Sequence, residues 1–136
     1  LGINLLIDLA RRASEILGQR YDIEIIEKHH NKKLDAPSGT ALMIADSVNE
    51  AANKAYDYQH GRHGKDAKRM PNEIGIHAVR GGTIVGEHQI LFAGTDEVLE
   101  IRHSAASKKV FAEGAIKAAR FLKDVGPGLY SMKDIL

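Results

Sequence analysis

Residues 21–27, Tyr-Asp-Ile-Glu-Ile-Ile-Glu, put Tyr21, Ile23 and Ile25 on one side and polar groups between them, and they lie between two stretches whose apolar residues recur at three and four. A period of two flanked by helical periods dictates a strand between helices. The chain must therefore layer helices on a sheet.

The first helical stretch opens at Asn4, a good N-cap, and runs through Leu6, Leu9, Ala10, Ala13, Ile16 and Leu17 to Gly18, where a C-terminus suits glycine. The second carries Ala41, Ala45, Val48, Ala52 and Ala55, with Ser38 or Thr40 as cap and Pro37 just before it. Residues 56–73 show no period and mix glycine, proline and charge, which predicts a long, mobile surface loop. Three strand-like runs follow near 74–80, 83–92 and 97–103, joined by turns at Gly81-Gly82 and Ala93–Glu97. The second puts Ile84, His88, Ile90 and Phe92 on one face, with Val85 and Leu91 on the other; the third carries Leu99 and Ile101. From Ser107 to Leu122, residues Val110, Phe111, Ala115, Ala118, Phe121 and Leu122 predict a third amphipathic helix.

The expected fold class is α+β: a mixed, largely antiparallel sheet of about four strands with helices packed on one face. Helices can cover only one side of such a sheet, so its open face is expected to serve oligomerisation.

At 136 residues the chain has the length of one domain. Lysine and arginine total 19 against 18 acidic residues, a net charge of +1, so no global field favours nucleic acid or an anionic membrane. The absence of cysteine removes disulfides, thiol catalysis and cysteine-type zinc sites, and fits a reducing cytoplasmic setting. No apolar run reaches the ~20 residues of a membrane span, and no leader is visible, so a soluble protein is expected. Leu1-Gly2-Ile3-Asn4 has no initiator methionine and enters a helix at once, as a fragment would.

Chemistry concentrates in residues 27–41, Glu-Lys-His-His-Asn-Lys-Lys-Leu-Asp-Ala-Pro-Ser-Gly-Thr-Ala, between the strand and the second helix. A helix N-terminus offers unpaired N–H groups, and Ser38-Gly39-Thr40 let an anion approach them. Lys32 and Lys33 supply charge, and a hydroxyl of Ser38 or Thr40 adds a hydrogen bond. His29 and His30 stand at the strand end, where an imidazole can act as general acid near neutral pH. The structural readings of the same residues are a plain helix start, a bonded surface imidazole and a solvated loop. A metal site on the histidines, including His60 and His63, is the competing account, but no H-E-x-x-H pattern occurs. Neither a G-x-x-x-x-G-K-[ST] loop nor a G-x-G-x-x-G turn is present, so no dinucleotide fold is visible.

The ordered residues Glu27, His29, His30, Lys33, Asp35, Ala36, Pro37, Ser38, Gly39, Thr40 and Ala41 closely resemble the signature of the dihydrodipicolinate reductase family. The stretches 75–92, 100–122 and 127–136 resemble that family's strands, closing helix and C-terminal end, so the likeness spans nearly the whole chain. It implies a substrate-binding and tetramerisation domain over residues 1–125, and a segment 126–136 that returns to an N-terminal Rossmann domain absent here. That absent domain would bind NADPH or NADH, so this chain carries no cofactor-binding residue and no metal.

The family reduces a cyclic, conjugated imine bearing two carboxylates, on the route through diaminopimelate to lysine. By resemblance, His29 is the proton donor and Lys33 a second acid and carboxylate partner. His30, Ser38, Gly39 and Thr40 are substrate contacts. The implied partners are the cyclic dicarboxylate and three further copies in a homotetramer, without nucleic acid or membrane. The alternative is a catalytically inert dicarboxylate-binding and assembly module.

Overall fold

The computed structural model describes residues 1–135, so the last position of the 126–136 segment lies outside it. Among these residues the centre of the molecule is the strand β1, Asp22–His29, which runs past the expected end at Glu27 and carries His29 within it. Ile23 and Ile25 of β1 are fully buried. In parallel register they meet Ile74 and Ile76 of β3, Glu73–Arg80; in antiparallel register they meet Phe92 and Ile90 of β4, Gly86–Ala93. Each such side chain contributes roughly 1.5–3 kcal/mol on burial. Beyond β4 lies antiparallel β5, Val98–Ala105, and beyond β3 lies parallel β2, Asp57–His60. The order is β2-β3-β1-β4-β5, a mixed sheet of five strands among the described residues rather than about four.

The helices α1, Gly2–Leu17, and α2, Gly39–Ala51, lie on the isoleucine face. Leu6, Ile7, Ala10 and Ala13 of the first and Ala41, Ile44, Ala45 and Val48 of the second join the core. Alanines let the two helices approach, and Ser14 Oγ donates to the Val48 carbonyl at 3.1 Å between them. Gly18 ends α1 at φ 61°, a region that favours glycine.

Several details differ from the sequence expectations, beginning with α1, which starts at Gly2 with Leu1 at its N-cap, so the expected cap Asn4 lies inside the helix. The extra strand β2 falls inside the segment 56–73 that reads as loop; its Asp-Tyr-Gln-His has no apolar alternation, and β3 supplies the ladder. The second helix stops at Ala51 although Ala52 and Ala55 continue its period, because Asn53 and Lys54 turn left-handed at φ 57° and 58°. β4 begins only at Gly86, so Ile84 and Val85 belong to the preceding turn and not to the two sheet faces. Finally, the helix α3, Lys109–Lys123, buries Gly114 alone, and Val110, Phe111 and Leu122 stay exposed. Among the described residues only the segment after it touches that stripe closely, with Tyr130 edge-on to Phe121 at 5.5 Å between centroids and Met132 beside Gly114.

The other sheet face is more polar than expected. Glu24 pairs there with Arg62, Arg69 and, at 2.6 Å, His77, tying the segment between β2 and β3 across the strands. Ile26 and Leu91 are half-buried beside it.

Candidate functional site

The site forms where β1 ends and α2 begins. Alternation along β1 puts Glu27 and His29 on the isoleucine face, beyond the last core residue. Glu27 has no exposed surface. A lone buried carboxylate would be strongly unfavourable, and four donors offset that. Arg80, from the end of β3, donates to both oxygens at 2.8 and 2.7 Å; the Ser38 amide donates at 2.9 Å; His29 Nδ1 lies 2.6 Å away. Burial pushes the Glu27 carboxyl up, but Arg80, His29 and the Ser38 amide outweigh it and hold it below the usual carboxylate range.

Between His29 and Ser38 the chain makes an exposed loop fastened at several points. Asn31 N–H donates to Gly82 O at 3.2 Å and Gly81 N–H to His29 O at 2.9 Å, so the glycine turn after β3 clasps the histidine pair. Gly82 sits at φ 49°, which explains a glycine there. Arg80 also reaches the Asp35 carbonyl at 2.8 Å. Lys33 Nζ bonds Asp35 at 2.7 and 2.9 Å, and this bond holds the Asp35 carboxyl below its ordinary value.

Ser38 is the N-cap of α2: its Oγ accepts from Ala41 N–H at 3.2 Å and lies 2.9 Å from His88 Nε2. Gly39 has open space where a Cβ would stand, which leaves the helix start accessible to a ligand. Thr40 lines a cavity of about 360 Å³ together with Leu1, Met43, His103, Phe111 and Met132. His30 is half-buried immediately after β1. All six residues expected at the site thus lie on one strand end, one loop and one helix start.

Three residues were not assigned roles from the sequence. Glu27 appeared only inside the motif, Arg80 only as part of a strand, and His88 only as one position in an alternating face. His88 is buried between Gly86 and Ile90, and its ring meets that of His29 edge-on with centroids 5.2 Å apart. Burial, then the nearby charge of His29, pushes its pKa down to about 4, so it is neutral in ordinary conditions. An imidazole alternating with Ile90 and Phe92 was the available signal for a bonded polar group in the core. Among the described residues, no group of three histidine or acidic side chains stands close enough to hold a metal ion.

Fold and site define an α+β domain that presents an open helix start and a carboxylate-bound imidazole at one end of its sheet. The chain belongs to the family described as dihydrodipicolinate reductase, C-terminus, whose model matches residues 2–136. It is 59% identical over 136 residues to the 4-hydroxy-tetrahydrodipicolinate reductase of Caldanaerobacter subterraneus subsp. tengcongensis, covering 100% of this chain and 54% of that protein. It is 52% identical over 137 residues to the enzyme of the same name from Clostridium botulinum, again covering 100% of this chain and 54% of the relative. A solved structure of dipicolinate-bound dihydrodipicolinate reductase from Paenisporosarcina sp. TG-14 superposes with a TM-score of 0.69 at 26% identity, covering 98% of this chain and 52% of that one. The chain spans about half the length of the curated relatives it matches.

Proposed function

We propose that this chain is the substrate-binding half of a cytoplasmic 4-hydroxy-tetrahydrodipicolinate reductase, acting in lysine biosynthesis through diaminopimelate. The observation that carries the reading is the convergence of His29, Lys33 and the Ser38-Gly39-Thr40 helix start at the end of β1, in a chain of this family. A planar dicarboxylate suits that arrangement: one carboxylate meets the Gly39 and Thr40 amides, and Lys33, released from Asp35, meets it as a charged donor. His30 and the Ser38 hydroxyl complete the contacts. The domain is residues 1–125, and the segment 126–136, whose Leu129 is fully exposed, returns to the N-terminal half.

The helix start at Ser38 does not fit a dinucleotide's pyrophosphate, because it follows a proline rather than a glycine-rich turn. NADPH or NADH, held by the N-terminal half, supplies the hydride. This half binds the dianion, orients its ring and, through His29, gives the proton that balances the hydride.

The test joins this chain to the N-terminal half of its Caldanaerobacter relative. His29→Gln lowers kcat roughly a hundredfold with KM little changed, because the proton is needed only on the way to the transition state. Lys33→Ala lowers kcat/KM by the worth of a charge-assisted bond, ~1.5–3 kcal/mol. Normal turnover by the His29 variant would remove His29 as the acid, and an unsubstituted fusion that binds and reduces no substrate would remove the reading.

A further inference from the structure

His29 has two ring nitrogens, and proton donation uses one of them. The other, Nδ1, lies 2.6 Å from Glu27 Oε2. Arg80 donates to both oxygens of that carboxylate, and the Ser38 amide donates to Oε1. A buried carboxyl gripped by a bidentate guanidinium is ionised, and an ionised carboxylate only accepts. The proton between Glu27 and His29 therefore belongs to Nδ1.

We infer that Glu27 is a positioning residue: it fixes the His29 ring in the Nδ1–H form, so that Nε2 is the nitrogen that carries and releases the transferable proton. The inference rests on the reading of His29 as proton donor and deepens it. The surroundings of Nε2 agree with this division of labour. A Cβ on Gly86 would stand 3.1 Å from Nε2 and 3.4 Å from Cδ2, so the glycine keeps that side of the ring clear. When His29 acts, the Nε2–H bond breaks, its electron pair remains on the ring, and the proton bonds to the substrate ring that has taken the hydride. The neutral imidazole keeps Nδ1–H on Glu27, and Nε2 regains a proton from solvent. The polar groups that meet the ring are Glu27 from its own strand and His88 from β4, with Arg80 from β3 behind Glu27. Arg80 has a second use, since its bond to the Asp35 carbonyl sets the lysine loop beside the same carboxylate.

The decisive measurement needs no substitution at Glu27. In the full 136-residue chain labelled with 15N-histidine, at about pH 8.5 where histidines are neutral, long-range proton–nitrogen correlation reads the tautomer. The His29 signal is the one that His29→Gln removes. We expect protonated Nδ1 and bare Nε2; a ring protonated at Nε2 and bare at Nδ1 overturns the inference. In the chain joined to its relative's N-terminal half, Glu27→Gln lowers kcat roughly tenfold or more with KM within about twofold. Unchanged kcat there, with His29→Gln inactive, overturns the positioning role and leaves His29 as the acid. Full activity of His29→Gln instead removes the acid itself, whatever the tautomer.

Discussion

At the scale of the residue, the site depends on partners that lie far apart in sequence. Arg80 and Glu27 are 53 positions apart, and Ser38 and His88 are 50 apart. Such pairings are created by strand register, which a single sequence does not print. The local half of the site was legible: His29, His30, Lys33 and Ser38-Gly39-Thr40 are contiguous, and helix-start chemistry is local. His88 leads to a prediction about pH. Its value falls from 6.5 in the unfolded chain to about 4 in the folded one, so on acidification the unfolded chain takes up the proton first. Stability from this residue is complete above about pH 6.5 and is lost as pH falls toward 4, by roughly 3 kcal/mol at most. His103 is lowered as well, chiefly by burial, and contributes in the same sense. Urea midpoints measured at pH 7.5 and 5.0, as the chosen conditions, should therefore differ less in His88→Gln than in the parent. An equal pH dependence in both would show that His88 is not buried neutral.

At the scale of the element, β1 was readable because Ile23 and Ile25 alternate with acids, and α2 because its cap and alanine period agree. β2 was not, since a four-residue parallel edge strand buries almost nothing and has no period of its own. The end of α2 was misplaced because an alanine period does not reveal that Asn49 will bond the Tyr56 backbone through both amide atoms, at 2.8 and 3.0 Å, and turn the chain back. The polar sheet face holds another dependence that only register exposes. Gly75 is opposite Glu24, and a Cβ there would collide with the Glu24 carboxylate. Gly75→Ala should displace Glu24 from Arg62, Arg69 and His77 and destabilise the fold by ~1–3 kcal/mol. Gly39→Ala, which meets nothing within 4 Å, should stay within about 0.5 kcal/mol of the parent in the same denaturation series. Equal midpoints for both variants would mean that the Glu24 cluster contributes no net stability.

At the scale of the whole molecule, the layer arrangement followed from periodicity alone, but the cover of each face did not. The open sheet face carries Ile26, Leu91 and the exposed Val79 and Val98 among its ion pairs, and β5 leaves one sheet edge without a partner strand among the described residues. The proposed assembly is a homotetramer packed through this face, with apolar burial as the driving force. Sedimentation of the chain at micromolar concentration should give a tetramer, and a monomer would refute the packing. The cavity beside Thr40 has a practical consequence of a different kind. Leu1 at the N-cap of α1, Met43 of α2 and Phe111 of α3 line it, so one hollow gathers a side chain from beside each of the three helices. A bulky label on any of those side chains would crowd the hollow. The exposed turn at Thr95 and Asp96, at the far end of β4 and ~25 Å along the strand from Gly86, is where a label or an insertion leaves that hollow open.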